Sequence, residues 1–214
     1  MKFVMSYSCG KDSTLALHKM IEQGNEPVAL LVMVNEKAER SFFHGANYVM
    51  LEEYSKSLDL PLLITPSDGE NYHLAMEESM RKAKTLGAEV ACFGDIDIEG
   101  NRKWAEERCG NAEIEAVFPL WHRNREENVY ELIKLGYKCL IKSINNTLIP
   151  KSLLGKYVDE IAIEEMRKCG IDICGENGEY HTLVVDGPVF KTPLIYQTGE
   201  ILDFGEFSII DVYI

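Results

Sequence analysis

Apolar residues in the first 120 positions come in short unbroken runs, and helix-periodic stretches separate them. Residues 3–5, 27–34, 60–65, 89–94 and 114–118 form such runs. An unbroken run, unlike an alternating one, marks a strand covered on both faces, as in a parallel sheet. After the first run, Leu17, Met20 and Ile21 share one helical face and Gly24 supplies a stop. Further helical spacing covers 47–58, 70–86 (stopped by Gly87) and 101–109. Strands alternating with helices predict an α/β fold with a doubly wound, five-stranded parallel sheet.

Beyond Pro119 the pattern changes. Helical spacing covers 124–135 and 159–168, a strand is expected over 137–143, and short strands dominate from His181, including 182–185 and 207–213. These features predict a smaller α+β domain over 121–214, packed tightly on the first, 1–120. Trp121 at the junction is expected to pack between the two. Arg123 and Arg125 read equally as facing anions or water.

Ligands of open parallel sheets bind at the carboxyl ends of the strands. Three such ends carry polar clusters. The first is Ser6-Tyr7-Ser8-Cys9-Gly10-Lys11-Asp12-Ser13, the second runs through Arg40, Phe42, Phe43 and His44, and the third is Gly94-Asp95-Ile96-Asp97. A strand, a small polar loop and a helix make an anion site, because N–H groups and the helix dipole point at the ligand. Lys11 adds a positive charge, and Ser8 and Ser13 add hydroxyls. The loop is no Walker A motif, which needs a glycine five residues before Gly-Lys and Ser or Thr after the Lys. Here those places hold Met5 and Asp12. Asp12 reads as a magnesium ligand or as an N-cap, Asp95 as a site acid or a turn former, and His44 as a nucleotide contact or a packed histidine.

Bulk composition narrows the reading. The 22 basic and 35 acidic residues leave a net charge of −13, which counts against a nucleic-acid partner. No apolar run approaches the roughly 18 residues of a membrane span. The first residues lack the long apolar stretch of a signal peptide, so a cytoplasmic protein is expected. Six cysteines without C-x-x-C spacing read as free, mostly buried thiols.

Several segments then act together: Ser8-Cys9-Gly10-Lys11-Asp12-Ser13, Phe43-His44, Gly94-Asp95-Ile96, Pro119-Leu120-Trp121, Cys174-Gly175-Glu176-Asn177-Gly178-Glu179-Tyr180-His181-Thr182 and Asp186-Gly187-Pro188-Val189-Phe190. The first resembles the PP-loop, S-G-G-x-D-S, with Cys9 at a glycine position. The whole order resembles the diphthine–ammonia ligase family of PP-loop ATP pyrophosphatases. The family pattern near 174 is close to C-G-E-G-G-E-F-E-T, and Asn177, Tyr180 and His181 depart from it. The resemblance implies an adenine nucleotide alpha hydrolase-like, Rossmann-like first domain. It implies that ATP adenylates the carboxylate of diphthine on elongation factor 2, that ammonia attacks, and that AMP and pyrophosphate leave.

On this reading Ser8, Cys9, Gly10, Lys11, Asp12, Ser13, His44, Gly94 and Asp95 bind the nucleotide, and Asp12 and Asp95 hold Mg2+. Lys11, Asp12, Glu176 and Glu179 carry the chemistry, the two glutamates binding a trimethylammonium group or handling ammonia. Another small carboxylate, a tRNA base or a non-catalytic nucleotide sensor are the competing readings, and a homodimer is left open.

Overall fold

The computed structural model describes residues 1–214. The first half forms β1 (Lys2–Ser6), α1 (Lys11–Glu22), β2 (Glu26–Asn35), β3 (Arg40–Ser41), α2 (Tyr48–Leu58) and β4 (Leu62–Ser67). It continues with α3 (Tyr72–Thr85), β5 (Val90–Cys92), α4 (Glu99–Asn111) and β6 (Glu115–Val117). Five strands pair in parallel in the order β4-β2-β1-β5-β6. The short β3 adds an antiparallel step to the end of β2, Val34 facing Ser41, which the sequence did not signal.

Period-2 alternation splits the strands between two apolar layers. Phe3, Met5, Leu30, Val32 and Val34 face α1 and α2, through Leu15, Leu17, Leu51 and Tyr54. Val4, Ala29, Leu31 and Met33 face α3 and α4, through Met76, Met80, Ala105 and Cys109. The sheet is therefore doubly wound. The helices start where the local chemistry directs. Asn47 caps α2 by accepting the Met50 N–H at 2.9 Å, and Asp59 closes it in the left-handed region at φ 54°.

The second half comprises α5 (Arg125–Lys134), β7 (Lys138–Asn145), α6 (Glu160–Lys168), β8 (Tyr180–Asp186), β9 (Gln197–Phe204) and β10 (Phe207–Tyr213). Asn124 and Asp159 cap α5 and α6, accepting from Glu127 and Ala162. The four strands form an antiparallel sheet, β8-β7-β10-β9. Its inner face joins the α1–α2 layer, so one cluster of 43 buried apolar residues runs through both halves. That shared core sets β8 against the carboxyl end of β1. No helix is long and apolar enough to cross a membrane.

Candidate active site

The 8–13 loop follows β1 and opens α1, with extended Gly10 as an N-cap that lacks a side-chain acceptor. The N–H groups of Asp12 and Ser13 in the first turn find no protein acceptor, as a helix start allows. Hydroxyls shape the loop: Ser8 Oγ lies 3.0 Å from Ser13 Oγ, and Ser13 Oγ donates to the Gly10 carbonyl at 3.1 Å. Strand β8 holds it from the other half. Val184 N–H donates to Cys9 O at 2.9 Å, and Lys11 N–H donates to Thr182 Oγ1 at 3.1 Å.

Two glycines let the other strand tips approach. A Cβ on Gly94 would lie 2.8 Å from Ser13 N and 2.9 Å from Asp12 C, so β5 can meet the loop only with glycine there. A Cβ on Gly10 would lie 2.3 Å from His44 Cε1. His44 packs over that bare backbone and donates from Nδ1 to the Thr182 carbonyl at 2.6 Å. Burial, then the neighbouring His181, lowers the His44 pKa to about 3. The ring is therefore neutral, with Nε2 left as an acceptor.

These tips enclose a cleft of about 620 Å³. Ser8, Lys11, Asp12, Ser13, His44, Gly94, Asp95, Glu176 and His181 all line it. Lys11 Nζ sits 2.7 Å from Asp12 Oδ2 and 4.0 Å from Glu176 Oε1, over the Tyr180 ring at 5.6 Å. One ammonium thus lies between an acid of the first half and an acid of the second. Burial opposes its charge, but Asp12 and its other neighbours outweigh burial and hold Lys11 well above the usual lysine range. Glu176 is pushed up to about 7, by burial first and the Asp12 charge second.

Two family models match this chain: a diphthamide synthase N-terminal domain over residues 1–116 and a diphthamide synthase C-terminal domain over 124–212. The chain belongs to the diphthamide synthase family. A human relative named diphthine–ammonia ligase is 25% identical over 94% of this chain and 85% of its own length. The zebrafish relative of that name is also 25% identical, over 94% and 88%. A longer fission-yeast relative is 23% identical over 95% of this chain and 37% of its own length. A solved chain titled as a predicted subunit of tRNA methyltransferase, from Methanocaldococcus jannaschii, gives a TM-score of 0.46 at 16% identity, covering 91% of this chain and all of that one.

Three residues named for the site of this diphthamide synthase family member stand outside the cleft wall. Glu179 is buried, and its two carboxylate oxygens accept the Asn177 backbone N–H at 2.9 Å and the Asn177 side-chain amide at 3.0 Å. It closes its own turn instead of facing the cleft. Cys9 is wholly buried. Its φ of 68° lies in the left-handed region that the usual glycine adopts without strain. Burial also pushes its thiol far above the ordinary range, the reverse of an activated nucleophile. Gly10 contributes by the side chain it lacks.

The oxygen donors suited to a magnesium ion are Asp12 and Asp95. Burial raises the Asp95 pKa and the Asp12 charge adds to it. Both acids line the cleft and offer the hard oxygen donors that a divalent ion such as magnesium takes. Asp12 also clusters with Cys174 Sγ and Glu176 within 4.8 Å, with Lys11 Nζ beside both carboxylates.

Sequence reasoning missed the aromatic wall, Tyr72 on α3 and Trp104 on α4, whose rings lie 5.8 Å apart. Arg123 and Arg125, which read equally as facing anions or water, are half-buried and paired with protein carboxylates. Arg123 pairs with Glu131 at 2.5 Å, and Arg125 bonds Asp97 and Asp172. Trp121 packs on α4 with Arg102 4.7 Å over its ring.

Proposed function

We propose that this chain is an ATP-dependent, AMP-forming carbon–nitrogen ligase that converts an acceptor carboxylate to an amide, with diphthine on elongation factor 2 as the acceptor. The observation that carries this reading is the single cleft in which the 8–13 loop faces Glu176, with Lys11 between them. The family membership agrees with it.

The reaction needs two transfers. An acceptor carboxylate oxygen attacks the α-phosphorus of ATP, pyrophosphate leaves, and an acyl-adenylate forms. Ammonia then attacks the carbonyl carbon, AMP leaves, and one proton must be removed from the nitrogen. The free N–H groups of Asp12 and Ser13, with the Lys11 ammonium, offer donors for the phosphates and for charge developing on pyrophosphate, and the Ser8 and Ser13 hydroxyls shape the loop that presents them. Lys11 is assigned to the phosphates when ATP binds, releasing the carboxylates it bridges. A magnesium ion held by Asp12 and Asp95 would neutralise phosphate charge.

Glu176 is assigned as the general base. A carboxyl that titrates near the working pH is suited to proton transfer. Glu179 is assigned a supporting role, fixing the turn that presents Glu176. Residues 1–120 are read as the nucleotide domain and 121–214 as the acceptor domain. A different small carboxylic acid is the second reading, favoured by His181 on the cleft wall.

The test is product chromatography after incubation with ATP, magnesium, ammonium and diphthine-bearing elongation factor 2. Ammonium-dependent AMP, pyrophosphate and amide are expected. ADP with phosphate, or no acceptor-dependent turnover, overturns the reading.

A further inference from the structure

We propose that Arg125 is a positioning residue that fixes Glu176 over the nucleotide site by tying the tip of β5 to the loop that carries that glutamate. The proposal rests on the ligase reading above, in which Glu176 acts on the incoming ammonia.

Arg125 does not line the cleft. It is the first residue of α5, and its guanidinium divides between two acids from opposite sides of the cleft. Nε donates to Asp97 Oδ2 at 2.7 Å and Nη2 to Asp97 Oδ1 at 2.6 Å, a two-pronged pair. Nη1 donates to Asp172 Oδ2 at 2.5 Å. The other oxygen of Asp172 accepts the Cys174 N–H at 2.9 Å, and its carbonyl accepts the Gly175 N–H at 3.0 Å. Glu176 follows directly. Asp97 closes the segment that begins with Gly94 against the 8–13 loop. Hydrogen bonds therefore run from Asp97, three residues past the Gly94 contact with the 8–13 loop, through Arg125 and Asp172 to the backbone beneath Glu176.

The pair is half-buried, with Asp172 at 14% and Arg125 at 25% side-chain exposure. Lysine cannot replace it, because a single ammonium lacks the planar fork that serves two carboxylates in fixed directions. The overall fold does not depend on this link. The shared core spans both halves, and His122 N–H donates to Ile96 O at 2.7 Å at the same junction. Losing Arg125 should free the 172–176 loop without unfolding the chain.

The test compares wild type with Arg125→Gln, Arg125→Lys and Asp172→Asn, each alone and with Glu176→Gln. A small displacement of a reacting group costs up to about 10²-fold. The Gln variant should lose about 10- to 100-fold in kcat/KM for ammonium while affinity for α,β-methylene-ATP stays within about twofold. Arg125→Lys should fail to restore the rate. In the Glu176→Gln background the same change should add no more than about twofold, since the two residues act as one unit. An equal loss in both backgrounds, or full rescue by lysine, overturns the proposal. Hydrogen exchange of the 174–176 amides gives a readout independent of activity. Faster exchange in Arg125→Gln supports the link even if wild type makes no amide, which would defeat only the ligase reading. Unchanged exchange overturns the link.

Discussion

Replacing Gly94 with Ala probes how the strand tips are brought together. The added methyl would sit 2.8 Å from Ser13 N, 2.9 Å from Asp12 C and 3.0 Å from Asp12 O. All three are backbone atoms at the start of α1, so no side chain can swing away. Ordinary contact begins near 3.4 Å, so the β5 tip must retreat from the loop by about 0.6 Å, an overpacking of the kind that costs about 1–3 kcal/mol. For a chain of this size that lowers Tm by about 2–12 °C. The retreat also moves Asp95 away from Asp12, and misplacement on this scale should reduce kcat by up to about 10²-fold. The control is Gly100→Ala within α4, where nothing lies within 4 Å of the new carbon and helix propensity favours alanine. Scanning calorimetry and steady-state AMP formation measure both effects. A Gly94→Ala protein with the melting temperature and turnover of wild type would refute the claim that these tips touch through bare backbone.

Further outcomes follow from the site residues. Glu176 titrates near 7 in the folded state, so activity should rise as pH climbs through about 7, and Glu176→Gln should lose both that limb and most turnover. Between the ordinary carboxyl value of 4.5 and 7 the folded state keeps a proton that the unfolded state has lost, so stability falls as pH rises across that window; thermal melts of Glu176→Gln should lack the fall. Cys9→Gly relieves a left-handed residue but leaves a small void, so Tm should change by only a few degrees and ligation should persist; abolished activity in a folded Cys9→Gly protein would point to thiol chemistry. Lys11→Ala should cost about 2–4 kcal/mol in transition-state stabilisation, read as kcat/KM for pyrophosphate release, and an unchanged rate would remove Lys11 from the mechanism.

The parallel strands were legible because each is buried on both faces, which writes an unbroken apolar run into the sequence. Strand β9 carries no such mark. Nearly all its residues face solvent, and it is held by a hairpin to β10 through Gly205 at φ 66°. Strand β3 is two residues long and exists only because the end of β2 extends past β1. At the site, polar clusters at strand ends pointed to the loop, His44 and Asp95, and the family resemblance around its glycine-flanked turn pointed to Glu176. Glu176 and Glu179 share one turn and look alike in sequence. Side-chain direction alone separates them, one facing Lys11 and the other folding back onto Asn177. The Arg125 link was illegible because its partners lie 28 and 47 residues away. Only the packed arrangement of both halves brings them together.

Oxygen-18 labelling shows whether an acceptor carboxylate is activated by transfer of AMP. The acceptor carboxylate is enriched in 18O, incubated with ATP, magnesium, ammonium and the enzyme, and the nucleotide and amide are analysed by mass spectrometry. An acyl-adenylate leaves one carboxylate oxygen on the phosphate of AMP when ammonia displaces it. AMP should carry 18O in a one-to-one ratio with amide formed. Label in inorganic phosphate alongside ADP, or unlabelled AMP accompanying labelled amide, would contradict it.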